Sequence, residues 1–254
     1  MKLINSFFLS LLCIIAATSC NSGSNTDNAN AAATATADSA GSGSVDGFKL
    51  GVQMWTFRMF SVTDALNKVD SAGIKNIEAF FGQPLGGDMK GNFGPEMDAG
   101  TRAKLKALLQ SKGISIVAMG VISPKDKAEW VKAFDLAAEF GLSYITSEPK
   151  KDQWDMVDSL AGAYAIKVAI HDHPKPSGYW SPDSVLAAIK GHSNIGACAD
   201  IGHWPRSGLD PVECLKKLDG HVIGVHLKDI VAFDVINAAD TVVGKGIIDY
   251  PAVF

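Results

Sequence analysis

The sequence predicts an α/β fold, a (β/α)8 TIM barrel whose eighth strand is absent from this chain. Three observations lead there. Short apolar runs alternate with amphipathic helical stretches, the signature of a parallel sheet. Seven such units follow one another at a period of roughly 25–30 residues, which suits a barrel. Histidines and acids gather at the C-terminal ends of the apolar runs, where barrels carry their chemistry.

The front of the chain stands apart from this pattern. Lys2 opens a mostly apolar stretch, Leu3 to Ala17, and Ala17-Thr18-Ser19 sets small residues before Cys20. Residues 1–20 therefore read as an export signal. The layout also resembles a bacterial lipobox, which implies lipidation at Cys20 and a membrane anchor in the periplasm or outer membrane. Residues 21–47 contain no large apolar residue before Val45, a composition that predicts a disordered linker. The barrel domain is then 48–254, incomplete at its C-terminus. Cys13 and Cys20 fall in the leader, so Cys198 and Cys214 are left, too few for a disulfide framework.

The strand-like runs are LGVQMW (50–55), IKNIEAF (74–80), ISIVAMGV (114–121), LSYIT (142–146), IKVAIH (166–171), IGACAD (195–200) and VIGVHL (222–227). Helix starts are marked between them. Ser61-x-x-Asp64 has capping-box spacing. Ser123-Pro124, Ser181-Pro182 and Asp210-Pro211 each offer a capping side chain followed by proline. Leu66, Val69 and Gly73 close one helix, and Trp130, Phe134, Ala137 and Gly141 mark another. Asp249-Tyr250-Pro251 begins one more, which sets an eighth strand roughly 10–20 residues beyond Phe254.

Composition narrows the function. An apolar content of 47% over 254 residues supports a sizeable core. A net charge of −4 and no basic stripe argue against nucleic acid as a partner. Gly244-Lys245-Gly246 lacks a third glycine, and Asp88-Met89 replaces the Lys-Ser/Thr that would follow a phosphate loop after Gly82 and Gly87. Neither nucleotide motif is met.

His171, Asp200 and His226 each end or nearly end an apolar run. They are separated by 29 and 26 residues, one βα repeat each time. Neighbouring strands lie about 4.8 Å apart. The three are expected at one depth, sharing one divalent cation at about 2.0–2.2 Å. His173 lies on the same side of its strand as His171, one step further out, and either contacts substrate or replaces His171 as ligand. His203 lies past its strand end and faces substrate or bonds within the loop. Lys228 shares a face with His226 and either holds a substrate oxygen or pairs with Asp200 or Asp229. Glu148 ends the fourth strand as a base, a ligand or a loop carboxylate. Glu78 lines the pocket or pairs with a buried partner. Trp55, Phe57, Trp180 and Trp204 are candidate platforms for a sugar ring or packing residues.

The stretches LGVQMWTFR, GIKNIEAF, AIHDHP, CADIGHW, GVHLKDI and GKGIIDYPAV, in this order, resemble the sugar phosphate isomerase/epimerase superfamily of xylose isomerase-like barrels. The resemblance spans residues 48–254. It implies a divalent metal (manganese, zinc, cobalt, iron or magnesium) held on strands five to eight, and a proton moved next to a sugar carbonyl. Asp200 matches the family's strand-six ligand and His226 its strand-seven ligand. Where the family carries a strand-five glutamate, this sequence has His171. The strand-eight glutamate falls beyond the end. The expected protein is an exported, metal-dependent carbohydrate isomerase or epimerase, with Glu148, His173 and Lys228 as catalytic groups and Trp55, Phe57, Glu78, His203 and Trp204 around the substrate. A 3-keto-glycoside lyase on the same site and a non-catalytic sugar-binding lipoprotein remain alternatives.

Overall fold

Each apolar run becomes a parallel strand in the computed structural model, which describes residues 44–45 and 48–254. The expected export signal, the Cys20 lipidation site and nearly all of the 21–47 linker lie outside the described residues. The strands are β1 (Gly51–Gln53), β2 (Asn76–Ala79), β3 (Ser115–Ile122), β4 (Tyr144–Ser147), β5 (Lys167–His171), β6 (Ile195–Asp200) and β7 (Val222–His226). They pair in chain order into one seven-stranded sheet with β1 and β7 at its edges. Val222 and Val225 on the β7 edge, and Leu227 just past it, are exposed apolar residues.

Helices α1 (Val62–Ser71), α2 (Ala99–Lys112), α3 (Lys127–Phe140), α4 (Trp154–Tyr164), α5 (Pro182–Ile189), α6 (Pro211–Lys217) and α7 (Tyr250–Val253) connect or follow the strands. Ser61 Oγ accepts from the Asp64 N–H, Ser181 caps α5, Asp210 caps α6 through two N–H groups, and Asp249 caps α7. Gly113 and Gly141 end α2 and α3 with φ of 59° and 68°, a left-handed turn that favours glycine. The Ser123-Pro124 start is corrected. Helix α3 begins at Lys127, because the Asp126 carboxylate accepts from the Glu129 N–H and outcompetes Ser123 as the cap.

Strand alternation sorts the side chains onto two faces. Ile77, Ile145, Val168, Ile170 and Ala197 are buried among the core residues. The other face carries Glu78, Thr146, His171, Cys198 and Asp200, all buried. Cys198 and Cys214 are free thiols. Two hairpins lie outside the expected pattern, Pro84–Gly86 with Met89–Asn92 and Asp229–Ile230 with Asp240–Thr241. Among the described residues no helix is long and apolar enough to cross a membrane.

Candidate active site

The polar face of the sheet converges at the C-terminal ends of β2 and β4 to β7. His171 Nε2 lies 3.6 Å from Asp200 Oδ2, and His226 Nδ1 lies 4.0 Å from the same oxygen. The two imidazole centroids are 5.0 Å apart. Register corrects the expected common depth. Asp200 pairs with His226, but His171 pairs with Cys198, so His171 sits one inward-facing position deeper.

His226 and Asp200 each have partners that orient them. His226 Nε2 donates to Glu78 Oε2 at 2.7 Å, which turns Nδ1 toward Asp200. Burial works to raise the Glu78 carboxyl, but the adjacent His226 carries it below the usual range. Asp200 is fully inside the protein. Burial again opposes its charge, yet the adjacent His171 and the Lys228 ammonium hold it well below the usual carboxylate range. Lys228 Nζ reaches Asp200 Oδ2 at 2.9 Å, which settles the choice of partner for that lysine. Asp229 is engaged elsewhere, accepting from the backbone N–H groups of Ile230, Gly244, Gly246 and Ile248.

Asp172, between His171 at the end of β5 and His173 just past it, points the other way. Its Oδ1 accepts the Asp200 N–H at 2.8 Å and so pins the end of β6. Burial, then the charge of Asp200, pushes its carboxyl well above the usual range, toward the protonated form.

A second group borders the first. Glu148 Oε1 bonds His173 Nδ1, while Glu148 Oε2 accepts from Ser177 Oγ at 3.1 Å. His171 Nδ1 lies 3.7 Å from Glu148 Oε1. Burial would raise Glu148, but His171 and His173 bring it down to about 2. The rings of His171 and His173 are 4.6 Å apart. The His173 side chain is 46% exposed, open to the mouth of the sheet.

His203 starts a helical turn, His203–Arg206. Its Nε2 lies 3.1 Å from Lys228 Nζ, and its Nδ1 faces Arg206. Burial lowers its pKa to about 3, with Lys228 adding to the effect. Trp55 is 58% exposed and stands edge-on against Phe80. Phe57 is half-buried against the core. Trp204 is corrected as a platform. The helical turn directs its ring into the core, where it is 1% exposed. Trp180 instead carries Lys175 Nζ above its ring, 4.1 Å from the centroid.

Residues 66–254 match the family described as the xylose isomerase-like TIM barrel. The chain belongs to this family. Among solved structures it is similar to an uncharacterized protein from Parabacteroides distasonis, at 38% identity over 71% of this chain and 74% of that one, with a TM-score of 0.63. It is also similar to the probable 3-DHS dehydratase AsbF of Bacillus anthracis, at 18% identity over 81% and 87% of the two chains, with a TM-score of 0.64. A D-tagatose 3-epimerase-like protein aligns at 19% identity over 80% and 83%, with a TM-score of 0.59. The last two show the shared fold. No curated protein matches the chain significantly.

The donors in this xylose isomerase-like barrel fit the divalent cation that membership implies. One ligand atom each from His171, Asp200 and His226 lies within 4.8 Å of the others. Donors bound at about 2.0–2.2 Å to one ion stand no further apart than about 4.4 Å, and the separations of 3.6 and 4.0 Å obey this. The Glu78–His226 bond is the carboxylate–histidine pairing that orients metal-binding imidazoles. His171 Nδ1 is buried without a hydrogen-bond partner. Glu148, His171 and His173 form a second group with the same spread.

Sequence reading missed three residues here. Arg206 follows His203 at i+3, a spacing that puts both on one side of a helical turn. Asp172 is disclosed only by alternation, which turns it away from its flanking histidines. Thr146, buried on the same sheet face as Glu78, carries no sequence signal at all.

Proposed function

We propose that the protein is an exported, divalent-metal-dependent carbohydrate enzyme of the isomerase/epimerase type, moving a proton on the carbon beside a keto-sugar carbonyl. The observation that carries this reading is the convergence of His171, Asp200 and His226 beside the His173–Glu148 pair. A divalent cation held by the first three would polarise adjacent substrate oxygens and acidify the neighbouring C–H.

The chain's own groups supply the rest. His173 keeps Nδ1 on Glu148, so Nε2 is free to accept the proton, and the Glu148 charge stabilises the resulting imidazolium. Glu148 stays ionised at neutral pH, with its pKa near 2. Lys228 Nζ lies 2.9 Å from Asp200 Oδ2, where it presents a donor to a developing oxyanion. Trp55 offers an exposed ring at the same end of the sheet as Glu78. Return of the proton to the other face gives epimerisation, and return to the neighbouring carbon gives isomerisation. If the next carbon bears a leaving group, the same abstraction ends in elimination, the 3-keto-glycoside lyase reaction. The leader sequence with Cys20 supports a lipid-anchored protein in the periplasm or outer membrane, and with it an unphosphorylated substrate.

Metal content of the full-length protein and deuterium wash-in from heavy water into a panel of keto-sugars test this. The expected result is bound divalent metal and C–H exchange that stops on chelation. Neither metal nor exchange sinks the reading. Sugar binding that survives chelation without exchange favours the sugar-binding lipoprotein.

A further inference from the structure

Glu148 projects from the chain just past β4, and its carboxylate is held from both sides. Oε1 bonds His173 Nδ1, and Oε2 accepts from Ser177 Oγ at 3.1 Å. The Tyr179 N–H lies 3.1 Å from the same Oγ. An amide N–H can only donate, so Oγ accepts there and keeps its one hydrogen for Glu148. Ser177 is itself fixed by a turn, in which its N–H donates to the Pro174 carbonyl at 3.1 Å. The chain leaving His173 therefore doubles back and grips the partner of His173.

The backbone beneath Glu148 is held as well. Tyr179 is buried, and its hydroxyl donates to the Pro149 carbonyl and accepts from Trp154 Nε1 at 2.8 Å. The Lys175 N–H donates to Ser207 Oγ at 3.0 Å, which ties the same turn to the segment after β6.

We propose that Ser177 is a positioning residue that sets the plane of the Glu148 carboxylate and, through it, the direction of the His173 ring. The last torsion of a glutamate side chain is broad, without the sharp wells of the earlier ones. A carboxylate bonded at one oxygen can swing about that bond, and a second bond at the other oxygen stops the swing. Ser177 supplies that second bond. It bonds Glu148 and the backbone, not the cation donors His171, Asp200 and His226. Its influence is therefore on the proton-moving pair and not on the ion.

The effect on turnover rests on the function proposed above, and the effect on Glu148 rests on the bonds alone. The test compares full-length wild type with Ser177→Ala in crystals and in deuterium exchange. In the crystals, Glu148 and His173 should each hold one orientation in wild type and more than one in Ser177→Ala. In exchange, Ser177→Ala should lower kcat by about 100-fold, the scale of a misplacement of about 1 Å, with KM and manganese affinity unchanged. Ser177→Thr keeps the hydroxyl and should recover most of the loss. A wild-type crystal in which Ser177 Oγ does not meet Glu148 overturns the proposal. So does a folded Ser177→Ala with Glu148 unmoved, a loss carried by KM or manganese affinity, or a Ser177→Thr as slow as Ser177→Ala. Should Ser177→Ala not fold, the wild-type crystal and Ser177→Thr still decide. If wild type exchanges no proton, the proposed function fails, and the crystals alone settle the role of Ser177.

Discussion

The two ends of one sheet treat polar side chains in opposite ways. At the N-terminal end they are exposed or half-buried and hydrogen-bonded. Lys75 Nζ bonds Asp70 and the Lys112 carbonyl, Lys167 Nζ bonds the Ser193 carbonyl, and Asn194 is held by Asp158 through two bonds. At the C-terminal end, Glu78 Oε1, Thr146 Oγ1, His171 Nδ1 and Asp172 Oδ2 are buried without a hydrogen-bond partner. An unpaired buried polar group costs about 1–3 kcal/mol, so native folds rarely keep several together. The N-terminal end uses its polar groups to hold strands and helices in place. The C-terminal end carries unspent bonding capacity at the stability's expense, the mark of a site arranged for something other than the fold.

The sharpest way to break this contrast is Asp200→Asn. The amide can keep the bond that Oδ1 accepts from the Gly202 N–H, so the fold should survive. The charge between the two imidazoles is lost. Divalent-cation affinity and proton exchange should each fall by more than about 100-fold, beyond the 10–100-fold typical of residues one bond further out. Calorimetric titration with manganese or zinc reads the first. Unchanged affinity would mean that the C-terminal end is merely a badly paired core.

Glu78→Gln sharpens the contrast at a smaller scale. Glutamine preserves shape but weakens the charge-assisted bond to His226 Nε2. The expected loss is about 10–100-fold in cation affinity, with His171 and Asp200 undisturbed. A drop in melting temperature with affinity intact would assign Glu78 a holding role like that of Asp158 at the other end.

The legibility of the molecule in its sequence follows the same division. Strand runs and caps are local, and they came through. ISIVAMGV at 114–121 becomes β3 at Ser115–Ile122, and Ser61, Ser181 and Asp210 cap as their spacing implies. Ser123 fails as a cap because a second local competitor, Asp126, lies three residues on. The hairpin at residues 84–92 is rich in glycine and polar residues and carries no period. Helix α2 buries only Leu105 and Leu109, too thin a stripe to announce itself. At the site, phase alone brought His171, Asp200 and His226 together. Their relative depth depends on strand register, which the sequence does not display. Glu78 and His226 are 148 positions apart, and only the curl of the sheet makes them neighbours. Trp204 shows the converse limit. Its residue type suits a sugar platform, but the direction of its ring is set by a short turn that packs it inward.

The smallest expected effect lies at the N-terminal end and isolates its holding role. His192 Nδ1 lies 2.6 Å from the Ala188 carbonyl and Nε2 lies 2.8 Å from Asp155 Oδ1. Both nitrogens face acceptors, so the imidazolium is the form that makes both bonds. The Asp155 bond, against the opposing effect of burial, raises the His192 pKa above its ordinary 6.5. A histidine raised by folding contributes stability that is fully present below its unfolded pKa and is lost as pH rises through the folded one. Asp155 is fully exposed, so the contribution is small and screened by salt. Asp155→Asn should lower the melting temperature relative to wild type at about pH 5.5, and the gap should close by about pH 8.5, above the histidine range. Cation affinity should not move, because the His192 ring bonds Asp155 and the Ala188 carbonyl and not His171, Asp200 or His226. A gap that is the same at both pH values would remove the imidazolium from the account. A change in cation affinity would show that the two ends are coupled, and the contrast between them would have to be redrawn as one connected network.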